Sequence, residues 1–133
     1  MATILVADDE KNIADLIAEA LRNDGHQVIV AYDGKQAMEK LESRGADSFQ
    51  PRADLIILDV RMPHMDGYTI FTLLQQDELT RSIPTIVLTS KRDMEDLFDV
   101  SQARIAYLRK PFDLQVLRER IRELLGSNGG DAP

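Results

Sequence analysis

The 133-residue chain has no cysteine, so it can form neither a disulfide framework nor a thiolate metal site. A reducing, cytoplasmic location fits that absence. Basic charge is also in short supply, with 16 Lys and Arg against 23 Asp and Glu and a formal net charge of −7. Phosphate contacts with nucleic acid need clustered Lys and Arg, so the chain is not expected to bind nucleic acid by itself. The acidity has two readings: a solvated surface that keeps a small domain dispersed, or a cluster built to hold a cation. No apolar run approaches the roughly 20 residues that span a bilayer, and no membrane association is expected. The opening residues Met1-Ala2-Thr3-Ile4-Leu5-Val6 lead straight into a strand-like run with no basic segment ahead of it, so no signal peptide is expected.

What is present is a regular switching of hydrophobic period. Thr3–Ala7 is a short apolar run, and Asn12–Asn23 then carries Ile13, Leu16, Ile17, Ala20 and Leu21 at helical spacing. Asp24-Gly25-His26 ends that helix, with Gly25 suited to a left-handed position. Gln27–Ala31 is β-branched and short, and Gly34–Arg44 reads as a helix with Ala37, Met38 and Leu41 on its apolar face. Leu55–Leu58 and Pro84–Leu88 are continuous apolar runs of the kind buried on both faces of a sheet. Asp66-Gly67 opens a helix carrying Ile70, Phe71 and Leu74, and Asp93–Val100 predicts a further short one. Ile105–Leu108 makes a fifth strand, and Leu114–Leu125 a last helix with Leu114, Leu117, Ile121, Leu124 and Leu125 as its stripe.

Five strands alternating with five helices predict an α/β domain, doubly wound about a parallel sheet. One domain over residues 1–125 is expected, followed by a flexible Gly-, Asn- and Ser-rich tail at 126–133, with Ser43–Ala53 as a surface loop. In such sheets ligands bind beyond the carboxyl ends of the strands. Strand one delivers Asp8, Asp9 and Glu10 there, and strand three delivers Asp59, followed by Arg61, Met62 and Pro63. Strand four ends in Thr89-Ser90, and strand five in Lys110-Pro111. Each alone has an ordinary explanation: an Asp after a strand is more often a helix N-cap, and Thr or Lys-Pro at a strand end is common. Together they are different. Carboxylates held close repel and drift toward protonation unless a cation sits among them, and oxygen ligands suit a hard ion such as Mg²⁺. Such an ion neutralises charge in phosphoryl transfer. Lys110 adds a positive charge, the Thr89 hydroxyl a donor, and an ionised Asp59 a nucleophile toward phosphorus.

Asp8-Asp9, the apolar run into Asp59 with Met62-Pro63 and Asp66-Gly67, Thr89-Ser90, and Tyr107 ahead of Lys110-Pro111-Phe112 resemble a response-regulator receiver domain of two-component signalling, over about residues 3–125. That resemblance implies a flavodoxin-like sheet in the order 2-1-3-4-5. It implies that Asp59 accepts a phosphoryl group from the phosphohistidine of a sensor histidine kinase or phosphotransfer protein. It implies that Asp9, Asp59 and the backbone carbonyl of Arg61 ligate Mg²⁺, with Asp8 assisting through water or hydrogen bonds. Lys110 would pair with the phosphoryl oxygens, with a cis bond to Pro111. Thr89 would bond the phosphate and Tyr107 turn inward, relaying the change to an output domain or protein or to a homodimer. The chain departs from the family in having no glycine between Thr89 and Lys110 and about one residue fewer there, which bears on the output surface rather than on the chemistry.

Other residues have plainer readings. His26 and His64 lie in turns without a partner His or Cys, and Met38, Met62, Met65 and Met94 are packing residues. Arg61 and Lys91 flank the candidate site, either as solvated charges or as modulators of phosphoryl lifetime. Two rival functions remain at this point. A pseudo-receiver switched without phosphate would normally have lost an acid, the Lys or the Thr, all of which are present. An aspartyl-nucleophile phosphatase would carry an acid two residues beyond the nucleophile, where this chain has Arg61.

Overall fold

A computed structural model of the chain describes residues 2–42, 53–62, 67–78, 80–89 and 105–126. The elements are β1 (Thr3–Ala7), α1 (Lys11–Asn23), β2 (Gln27–Ala31), α2 (Gly34–Glu42), β3 (Leu55–Asp59), α3 (Gly67–Gln75), β4 (Thr85–Thr89), β5 (Ile105–Arg109) and α4 (Leu114–Gly126). The five strands form one sheet in the order β2-β1-β3-β4-β5, and every neighbouring pair is parallel. The expected sheet is therefore present. Four helices fall among the described residues; the helix expected at Asp93–Val100 lies outside them, as do Pro63, His64, Met65, Asp66, Ser90, Lys91, most of the Ser43–Ala53 loop, and residues 127–133.

Strand side chains alternate between two cores. Leu5, Ala7, Ile56, Leu58 and Val87 join Ala37 and Leu41 of α2 and Ile70, Phe71 and Leu74 of α3 on one face. Ile4, Val6, Leu55, Ile57, Ile86 and Leu88 join Ala14, Ile17 and Leu21 of α1 and Leu117 and Ile121 of α4 on the other. β3 and β4 are buried at every position, which is why their sequence reads as an unbroken apolar run rather than an alternating one. Each large aliphatic side chain enclosed in this way contributes about 1.5–3 kcal/mol.

The expected stripe on α1 needs a correction. Leu16 is 52% exposed, whereas Ala14 and Ala18 are buried beside Ile17 and Leu21. The helix turns its alanines to the sheet because small side chains allow close approach, so the inward face runs through positions 14, 17, 18 and 21. The end of α1 is as expected. Gly25 has φ 97°, its N–H donates to the Arg22 carbonyl, and the His26 N–H donates to the Leu21 carbonyl. That pair closes the free carbonyls of the last turn. Side chains set two helix starts: Asp33 Oδ1 accepts from the Gln36 N–H at 2.8 Å, and Asp113 Oδ1 from the Gln115 N–H at 2.7 Å.

Candidate functional site

Sheet register assembles the site. Ala7 pairs with Leu58, so Asp8 and Asp59 stand side by side at the carboxyl edge. Asp59 pairs with Leu88 and Thr89 with Arg109, and the Lys110 N–H donates to the Thr89 carbonyl at 2.9 Å. Asp9, Glu10, Asp59, Arg61, Thr89, Lys110 and Pro111 all line one cleft of about 510 Å³. The Lys110–Pro111 bond is cis.

Asp8 is fully buried and Asp59 is 5% exposed. Carboxylate oxygens of Asp8, Asp9 and Asp59 lie within 4.8 Å of one another. Lys110 reaches across to them, its Nζ 2.7 Å from Glu10 Oε1, 3.0 Å from Asp8 Oδ2 and 3.4 Å from Asp59 Oδ1. Asp8 Oδ1 accepts from the Glu10 N–H at 2.9 Å. Its Oδ2 has no hydrogen bond: the ammonium beside it is a charge contact without a hydrogen bond's direction. The ordinary explanation of these acids as helix caps does not hold. Glu10 is the N-cap of α1, and its side chain makes no capping bond.

Burial pushes the Asp59 carboxyl up, and the neighbouring Asp8 charge adds to this. Lys110 pulls it back, while hydrogen bonding with Asp9 and Asp8 raises it further, and the balance lies at about 8. Burial by itself would lower the Lys110 ammonium, but its hydrogen bond to Glu10 and its close contacts with the charges of Asp8 and Asp59 outweigh burial and hold it above lysine's usual value. A buried, unbonded carboxylate oxygen next to two more carboxyls, one of them pushed toward its protonated form by burial and the neighbouring charge, is a donor set short of positive charge. It fits a hard divalent cation, and all its donors are oxygens.

Sequence comparison agrees with this geometry. Residues 4–122 match the response regulator receiver domain family. The chain belongs to that family. Among relatives, it is 35% identical over 126 residues to the DNA-binding dual master transcriptional regulator RpaA of Synechocystis, covering 94% of this chain and 49% of RpaA. The chain thus spans about half the length of such curated relatives. Among solved structures, the receiver domain of the Francisella response regulator 1452 superposes with a TM-score of 0.78 at 29% identity, covering 96% of this chain and 99% of that one. The response regulator TrrA of Thermotoga maritima, solved with Mg²⁺ and BeF, superposes with a TM-score of 0.76 at 31% identity, covering 94% and 100%.

Of the residues picked out in this receiver domain from sequence, Asp8, Asp9, Asp59 and Lys110 converge, with Thr89 buried at the same cleft. Tyr107 pairs in register with Val87, on the face of the sheet that carries Thr89, and packs partly buried against the α2/α3 core. Arg61 is exposed at the rim. Two contributors were missed. One is Glu10, the closest partner of Lys110; an acid facing a lysine across the strand ends was the available signal. The other is Gly67. Its N–H donates to the Val60 carbonyl at 2.9 Å, and a Cβ there would sit 2.5 Å from the Asp59 carbonyl oxygen. Only glycine lets α3 start against the backbone of Asp59, which gives the Asp-Gly pair in the sequence a physical reason.

Proposed function

We propose that this receiver domain works as a phosphoacceptor switch in which Asp59 is the phosphorylated residue. The observation that carries the reading is the convergence of Asp59 with Asp8, Asp9 and Lys110 at one edge of the sheet. An Asp59 carboxylate oxygen attacks the phosphorus of a phosphohistidine on a sensor kinase or histidine phosphotransfer protein. The new O–P bond forms as the P–N bond breaks, and the electron pair stays on the imidazole, which takes up a proton. Mg²⁺ held by Asp8, Asp9, Asp59 and the Arg61 carbonyl would neutralise charge on the transferring group and favour the ionised form of Asp59. Lys110 pairs with the phosphoryl oxygens, and the Thr89 hydroxyl donates to one of them. The added charge of about −1.5 to −2 biases Thr89 and Tyr107 toward a second arrangement, which a downstream output domain, output protein or second copy of the chain reads. Return to the resting state is hydrolysis assisted by the same groups, so the domain acts as a regulator with no separate substrate. The unit so described is residues 1–125, with 126–133 as a tail, working in the cytoplasm; among the described residues no helix is long and apolar enough to cross a membrane.

The test is mass spectrometry after incubation with acetyl phosphate and Mg²⁺. Wild type should gain one phosphoryl group and Asp59→Asn none; an equal gain on the variant would sink the assignment. A beryllofluoride adduct should form on wild type, which a pseudo-receiver would not support.

A further inference from the structure

We propose that Glu10 is a positioning residue for phosphoryl acceptance, one that holds the Lys110 ammonium in the resting domain and must release it before the lysine can serve the phosphoryl group. This deepens the phosphoacceptor reading and rests on it. In the resting arrangement the nearest partner of Lys110 is not the acceptor. Nζ lies 2.7 Å from Glu10 Oε1 and 3.4 Å from Asp59 Oδ1. The backbone of Glu10 is fixed: its N–H is bonded to Asp8 Oδ1, and its carbonyl accepts from the Ile13 and Ala14 N–H groups at the start of α1. A glutamate gives a helix little at this cap position, and the side chain makes no capping bond. It extends instead to the lysine.

The tie is of a kind that can be exchanged. Glu10 is 58% exposed against 12% for Lys110, so water screens the carboxylate and the pair is weak beside a fully enclosed one. An incoming phosphoryl group carries more negative charge than one carboxylate, and the ammonium transfers to it. Glu10 therefore stabilises the domain before transfer and loses its partner at the transition state. Once Asp59 is phosphorylated, the lysine is on the phosphoryl group both in the ground state and during hydrolysis, when water oxygen attacks phosphorus, a water proton leaves with the phosphate, and the Asp59–phosphorus bond returns its pair to the carboxylate. The tie to Glu10 should slow acceptance and leave hydrolysis unaffected.

Acetyl phosphate, whose P–O bond breaks with the pair leaving on acetate, is the donor for the test, with Mg²⁺ saturating. Glu10→Ala should speed phosphorylation roughly two- to fivefold, the factor an exposed charge pair is worth, while the hydrolysis rate stays as in wild type. Glu10→Asp keeps the charge but shortens the reach, and should match Glu10→Ala. If it matches wild type instead, charge alone is responsible and the proposal is overturned. The lysine is also observed directly, by nitrogen-15 NMR of the side-chain ammonium without Mg²⁺ or donor. The Lys110 signal should shift and exchange its protons faster in Glu10→Ala, and an unchanged signal overturns the proposal. Equal phosphorylation rates in wild type and Glu10→Ala likewise overturn the role of Glu10 while leaving the phosphoacceptor reading intact. A wild type that takes up no phosphoryl group counts against that reading itself.

Discussion

Where the strands begin, polar groups close on one another in pairs. Arg118 Nε donates to Asp24 Oδ2 at 2.8 Å, the Thr3 N–H to Asp54 Oδ2 at 2.8 Å, the Ala2 N–H to His26 Nδ1 at 3.2 Å, and the Arg22 guanidinium to the Val28 carbonyl at 3.0 Å. Where the strands end, Asp8, Glu10 and Asp59 share a single lysine, with Asp9 beside them, and a buried oxygen of Asp8 has no hydrogen bond. Aspartates stand at both ends of the sheet. The difference is whether each charge has its own partner. Among the described residues, the contacts named at the first end are matched one to one, whereas at the second three carboxyl groups crowd one ammonium, an imbalance that a cation would relieve.

The contrast can be tested in order of expected effect. Asp9→Ala should abolish the Mg²⁺-dependent change in an NMR titration, because two remaining carboxyls hold a strongly hydrated ion poorly; unchanged affinity would contradict the oxygen cluster. Gly67→Ala forces a Cβ against the Asp59 carbonyl and should lower stability in urea by about 1–3 kcal/mol, the usual cost of overpacking. A loss under about 0.5 kcal/mol would mean that α3 can retreat from the strand end. Third is pH. The Asp59 carboxyl titrates at about 8 in the folded, ion-free protein and at its ordinary 3.8 when unfolded. Between those values the folded state holds the extra proton, so the contribution of this group to stability is full below about pH 4 and is lost as pH rises toward 8. In EDTA the urea midpoint of wild type should therefore fall between pH 5.5 and 8 by more than that of Asp59→Asn; parallel curves would show that Asp59 is not the strained group. Last, Arg118→Ala removes a half-exposed pair at the completed end and should cost about 0.2–1 kcal/mol with no effect on phosphoryl uptake.

Much of this was legible because burial and strand period leave marks in the sequence. The bounds of β1 and β2 match the runs Thr3–Ala7 and Gln27–Ala31, and the site residues stand where a parallel sheet must display them. Strand bounds at β3, β4 and β5 run one residue further than the apolar runs, since Asp59, Thr89 and Arg109 continue the backbone ladder even though their side chains are polar. Leu16 misled because a helix can face a sheet with alanines and leave a leucine outside. Glu10 was not assigned a role because an acid just ahead of a helix has an ordinary explanation, and only the reach of Lys110 across the sheet edge removes it. Gly67 was visible as half of a motif, but its cause is a backbone approach that sequence spacing does not encode.

Lys110 and Glu10 are 100 positions apart in the chain, so no short segment of the sequence can assemble the site. The acids of β1 and β3 leave the ribosome first and the lysine only with the end of β5. A nascent chain that has reached β4 carries the carboxyl groups without the cation that balances them. Bringing together residues so distant in sequence costs loop-closure entropy before their contact returns any stability. The carboxyl groups beyond β1 and β3 meet their lysine only once β5 has joined the sheet.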